Sequence, residues 1–139
     1  MKNKSYTHDR TCVYNINYHI IWCVKYRKKV LTEEVEVMLR AILQDIGAEN
    51  GFTVVDAQAG EQDHVHCFVS APPKLSITFL VKHLKGTSAL RLFRMFPELR
   101  EQLWGHQLWS SSYFVETIGS TSEENIRRYI ASQDKKPKE

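Results

Sequence analysis

No apolar run in this chain is long enough to cross a membrane: the most apolar region, residues 12–24, is broken by Asn15, Asn17 and His19. No apolar leader opens it either, because residues 1–10 are polar throughout, so a cytoplasmic location is expected. Cysteine is scarce, and Cys12, Cys23 and Cys67 form no C-x-x-C pair, which argues against a structural zinc site and for reduced thiols. Internal repeats are absent, and low complexity is confined to a short basic tail at 135–139. Charge of one sign does not dominate: the net charge is +3 with a pI near 8.8, which permits a nucleic-acid partner without demanding one. What is present is an ordinary globular balance, 42% apolar and 25% charged over 139 residues. That length suits a single domain over 1–139, able to bury a core without disulfide or metal staples.

Pattern supplies the elements. Residues 11–26, rich in Val, Ile, Tyr and Trp, read as a long first strand. Thr32 ahead of Glu33 and Glu34 starts a helix, a capping hydroxyl followed by acids at the positive end of the dipole. Val35, Met38, Leu39, Ile42, Leu43 and Ile46 then recur at three- and four-residue steps as one apolar stripe, and Asn50-Gly51 ends the helix. Residues 52–59 read as a second strand, 60–62 as a turn, and 64–71 as a third strand stopped by Pro72-Pro73. A second helix is expected from about Ser76, with Gly86 kinking or interrupting it and Phe96-Pro97 closing it; residues 98–103 offer one more helical turn. Residues 108–118 read as the last strand, and Ser120 to Ser122 offer caps for a terminal helix over about 121–134. The order β-α-β-β-α-β defines an α+β, ferredoxin-like core over about 11–119, an antiparallel sheet with helices on one face. The other face is left available for a site.

Two constellations carry chemistry. His64-Val65-His66 falls on a strand, so both imidazoles leave the same face and together can grip one divalent cation while leaving its other positions open. Cys67 points the other way, into the core. On the terminal helix Asn125, Tyr129 and Gln133 recur every fourth residue, beside an apolar stripe of Ile126 and Ile130 that can dock on the domain. A metal held by two imidazoles and an amide oxygen would polarise a phosphodiester, and a tyrosine hydroxyl assisted by such a metal could attack it. Basic residues cluster at 25–29, 82–85, 127–128 and 135–138; Lys82 and Lys85, then Lys25 and Lys28, are the candidates for phosphate contacts. Trp104, Trp109 and Tyr113 read first as core residues and second as platforms for unpaired bases.

These residues give the chain a resemblance to the single-tyrosine HUH transposases, which mobilise small insertion sequences as single-stranded DNA. His64-Val65-His66 fits the HUH signature, and Tyr129-Ile130-Ala131-Ser132-Gln133 resembles the family's YxxxQ helix. Similarity continues through residues 22–31, 84–88 and 109–119. The resemblance implies that Tyr129 is the nucleophile of a 5′-phosphotyrosine intermediate and that His64, His66 and Gln133 bind the metal. It implies magnesium or manganese as cofactor with no nucleotide cofactor, single-stranded DNA hairpins as partner, and a homodimer with composite sites. Magnesium favours oxygen ligands, so phosphate and water would supply most of its shell. The alternatives are an HUH replication or mobilisation nuclease, which usually carries added domains, and a non-catalytic ferredoxin-like nucleic-acid-binding module. A zinc hydrolase is a third, lacking an evident third strong ligand and positioned base.

Overall fold

Alternating β-branched and aromatic residues build four strands whose two faces meet different surroundings. In the computed structural model, which describes residues 6–119 and 123–134, a short hairpin of β1 (Thr7–His8) and β2 (Val13–Tyr14) precedes the main body. There follow β3 (Asn17–Cys23), α1 (Glu33–Asn50), β4 (Thr53–Gly60), β5 (His64–Ser70), α2 (Ile77–Met95), α3 (Glu98–Gln102), β6 (Phe114–Ile118) and α4 (Glu123–Asp134). The main sheet runs in the order β4-β5-β3-β6 with every pair antiparallel, the ferredoxin-like arrangement expected from the element order.

One sheet face makes the core. Ile20, Trp22, Val65, Cys67, Val69, Val54 and Ala57 pack against Leu39, Leu43 and Ile46 of α1 and Leu80, Leu84 and Leu92 of α2, all buried. Each such aliphatic side chain removed from water contributes roughly 1.5–3 kcal/mol, which makes this layer the main source of stability. Helix α1 begins as its sequence dictates, with the Thr32 hydroxyl accepting from the Val35 amide at 3.4 Å. It ends at Gly51, whose φ of 84° is the left-handed cap that glycine adopts without strain. The Trp109 indole, buried beneath α2, donates to the Ser88 hydroxyl at 3.0 Å and so keeps its polar atom satisfied.

The long first strand expected over 11–26 is shorter and in two pieces. Pairing ends at Cys23, Val24 bridges to Trp109, and the chain then turns through Tyr26 and Arg27, whose φ values are 59° and 53°. The last strand likewise pairs regularly from Phe114, not from 108: Leu108 and Ser110 still bond to Lys25 and Cys23 around the Val24–Trp109 bridge, and the ladder breaks between Ser110 and Phe114. Gly86 neither kinks nor interrupts α2, which continues to Met95; apolar residues buried on both sides of it outweigh a local propensity cost of about 1 kcal/mol. The first strand of the hairpin, β1, was not expected from the sequence, whereas β2 lies within the strand expected over 11–26. The tail 135–139 and the expected caps at 120–122 lie outside the described residues. Among the described residues no helix is long and apolar enough to cross a membrane.

Candidate active site

The second sheet face is where the candidate residues gather. Antiparallel register sets Cys23 opposite His64, Ile21 opposite His66 and His19 opposite Phe68, while β6 sets Glu116 opposite His19. Directly opposed residues share a face, so His64, His66, His19 and Glu116 rise from three adjacent strands on the side away from α1 and α2. Helix α4 docks on this face, with Ile130 buried against Phe68 and with Val55, Ile118 and Tyr129 packed beside them. The open face is thus partly covered, and the cover delivers the tyrosine.

His64 is buried, and its Nδ1 lies 2.7 Å from the Asp63 carboxylate. Asp63 is buried too, and is held by Arg27 at 3.3 Å and by Lys29 at 3.6 Å. Burial alone would raise the Asp63 pKa, but the hydrogen bonds from His64 and Arg27 and their charges outweigh it and hold the carboxyl below its usual range. This carboxylate–imidazole contact fixes the ring of His64 and its tautomer.

His19 occupies the centre. Its Nε2 is 2.9 Å from Nδ1 of His66, and its Nδ1 is 2.9 Å from the Tyr129 hydroxyl and 3.3 Å from Oε2 of Glu116. The Tyr129 hydroxyl donates to the same Glu116 oxygen at 2.7 Å. Phe68 stacks on the His19 ring with centroids 4.6 Å apart, and Tyr129 meets it edge-on at 5.5 Å. One proton assignment satisfies all of these contacts: His66 Nδ1–H donates to His19 Nε2, His19 Nδ1–H donates to the tyrosine and glutamate oxygens, and the phenol donates to Glu116. Burial first, then the hydrogen bond to Glu116 and its charge, push the Tyr129 hydroxyl above its ordinary pKa.

The structure therefore brings His64, His66 and Tyr129 to one face. Gln133 lies one turn beyond Tyr129 on α4, and its side chain falls outside the described residues. With Nδ1 of both ring systems engaged, a metal would be met through Nε2 of His64 and His66, whose ring centroids are 5.0 Å apart. Outer hydrogen bonds of this kind are what metal-ligating imidazoles make, so the donor set fits a divalent ion with oxygen ligands completing it. Among the described residues no group of three or more His, Cys, Asp or Glu side chains forms a ready-made metal cluster.

The lysines part company. Lys28 is exposed after the turn, and Lys82 is exposed on α2, the helix behind the opposite sheet face. Lys25 donates to the Gln107 side chain at 3.0 Å. Lys85 donates to the carbonyls of Ser110 at 2.6 Å and Ser112 at 3.1 Å, so it pins the segment leading to β6. Trp109 is core, as first expected, and Tyr113 is exposed. Sequence reasoning passed over His19, noting it only as a break in an apolar run, and over Glu116. The available signal was His19's even spacing from Ile21 and Cys23, which puts it on the non-core face of β3.

A ferredoxin-like sheet carrying a histidine pair that faces a helix-borne tyrosine defines a protein of the single-tyrosine HUH class. Residues 12–133 match the IS200-like transposases, and the chain belongs to that family. It is 46% identical over 127 residues to the ISDra2 transposase TnpA of Deinococcus radiodurans, covering 91% of this chain and 90% of that one. It is 30% identical over 130 residues to the transposase of insertion sequence IS200 from Salmonella typhimurium, covering 94% of this chain and 82% of that protein. A crystal structure from Deinococcus radiodurans R1, of a chain whose proposed identity is a transposase, superposes with a TM-score of 0.75 at 41% identity over 91% of this chain and 97% of that one. A REP-associated tyrosine transposase solved on a REP hairpin shares the fold, with a TM-score of 0.55 at 14% identity over 89% of this chain and 67% of that one. Family membership makes the chain a DNA-cleaving and strand-transferring protein of transposition, and decides for the transposase among the alternatives left open by the sequence.

Proposed function

We propose that the protein, as a single domain over 1–139 with its core at about 11–119 and its catalytic helix at about 121–134, cleaves and rejoins single-stranded DNA through Tyr129. The observation that carries this reading is the Tyr129 hydroxyl held 2.9 Å from His19, whose other nitrogen holds His66. The Tyr129 oxygen attacks a phosphodiester, a bond forms between Tyr129 and the phosphorus that remains on the 5′ end of the downstream strand, and the 3′-oxygen of the upstream strand leaves as a hydroxyl. The energy of the broken bond is kept in the phosphotyrosine, so the reverse attack by a 3′-hydroxyl needs no nucleotide cofactor. His64, His66 and Gln133 would hold magnesium or manganese, which supplies Lewis-acid polarisation of the phosphodiester when bound.

Hairpin DNA is the partner this reading favours, supported by the family and by exposed cations. Lys28 and Lys82 would contact phosphates directly; Lys25 shares its ammonium with Gln107, and Lys85 would act by shaping the segment at 110–112. Two DNA ends must be held at once, and one tyrosine holds one strand, so a homodimer is proposed. Exchange of α4 between two copies would make composite sites with the same contacts.

The test is incubation of the protein with labelled single-stranded hairpin DNA and magnesium. A covalent protein–DNA adduct is expected, absent with Tyr129→Phe and on chelation of the metal. His64→Ala and His66→Ala should bind the hairpin and fail to cleave it. Full-rate adduct formation by Tyr129→Phe would remove Tyr129 as the nucleophile.

A further inference from the structure

The reaction proposed above requires the phenol to lose its proton as its oxygen bonds to phosphorus, and the metal-ligand set does not say where that proton goes. We propose that Glu116 is the catalytic base that takes the Tyr129 proton, with His19 holding the phenol oxygen in place; this rests on the transposase reading.

Three observations carry it. The Glu116 carboxylate lies 2.7 Å from the Tyr129 hydroxyl, within the reach that proton transfer needs. His19, at 2.9 Å, is a second polar neighbour among the described residues, but it is the wrong partner. Its Nε2 faces Nδ1 of His66 at 2.9 Å, and a His66 ring that meets a metal through Nε2 carries its hydrogen on Nδ1. His19 must then accept at Nε2 and donate at Nδ1. It can stabilise negative charge growing on the phenol oxygen but has no lone pair there to receive a proton. Finally, the Glu116 side chain is 47% exposed whereas that of His19 is 1% exposed, so only the glutamate can pass a proton on to water.

The balance is simple. As the Tyr129 oxygen–phosphorus bond forms, the phenol proton moves to Glu116 and the phosphorus–O3′ bond breaks, the leaving oxygen taking a proton from water. On rejoining, a 3′-hydroxyl attacks phosphorus and Glu116-H returns its proton to the departing Tyr129 oxygen. The resting hydroxyl, held above its ordinary pKa, does not ionise unaided, and a base acting at the moment of attack resolves that.

Glu116→Gln preserves size and an accepting oxygen but cannot take the proton. It should bind labelled hairpin DNA as the wild type does and form the covalent adduct about 10²–10⁴-fold more slowly. Glu116→Asp should recover part of the rate. A fluorinated tyrosine at position 129, whose hydroxyl ionises without help, should restore most of the rate to Glu116→Gln, a rescue that a packing role cannot produce. Wild-type rates in Glu116→Gln, or no rescue by the fluorinated residue, overturn the assignment of Glu116 while leaving Tyr129 as nucleophile. No adduct with the wild-type protein overturns both.

Discussion

His19 joins two groups that the chain places far apart in sequence, the strand-borne His66 and the helix-borne Tyr129, through opposite edges of one ring. At Asp63 the same economy holds, since one carboxylate orients His64 and neutralises Arg27 and Lys29. Asp63→Ala would free the His64 ring and leave two cations unanswered, and manganese affinity measured by calorimetry should fall about 10–100-fold with hairpin binding retained. The Tyr129 hydroxyl gives a second expectation, with a definite sign. Its pKa is raised in the folded protein, so the unfolded phenol ionises first, above about 10. The stability it contributes is full below that value and is lost as pH rises through the folded value. Tyr129→Phe should therefore lose less stability than the wild type in alkaline chemical denaturation. The histidine pair and Tyr129 were legible because their cue is local, a period of two on a strand and of four on a helix. His19 and Glu116 were not, because their roles depend on register across three strands. Nor does sequence distinguish Lys85, anchored to two carbonyls, from Lys82, which is exposed.

Among the elements, α1 shows the closest agreement between pattern and structure, cap to cap. Two helical glycines make opposite demands. A methyl at Gly47 would come within 2.7 Å of the Phe52 carbonyl, where α1 turns back into β4, whereas at Gly86 it would meet nothing within 4 Å. Gly47→Ala should cost about 1–3 kcal/mol by overpacking, while Gly86→Ala should add about 0.5–1 kcal/mol by helix propensity. Urea denaturation of both variants checks the pair, and a shift of the same sign for both would contradict it. The sequence could not show that Gly86 is spanned by the helix, because packing of α2 on the sheet decides it. Residues 25–27 were equally illegible, since non-glycine side chains enter the left-handed region only when their surroundings hold them there. Helix α4 stands apart: among the described residues, Ile130 buries against Phe68 with Val55, Ile118 and Tyr129 beside them. Such a thinly anchored helix belongs to the low-stability end of a fold, which suits the strand-carrying role proposed for it.

At the scale of the whole molecule, element order foretold an antiparallel ferredoxin-like sheet with helices on one face, and the structure adds its strand order, β4-β5-β3-β6. The two faces of that sheet are occupied by different tasks, and they are written in alternate letters of the same strands. Along β5, His64, His66 and Phe68 point toward α4, while Val65, Cys67 and Val69 are buried among the helices. This has a consequence for how the gene can change. Substitutions touch one face at a time, but loss of a single codon within the strand exchanges the faces beyond it, sending imidazoles into the core and valines to solvent. Deletion of Val65 should therefore abolish the folded far-ultraviolet spectrum and the cooperative unfolding transition, where Val65→Ala only lowers stability. The chemistry of this sheet is open to exploration by spelling, and its strand lengths are closed to drift.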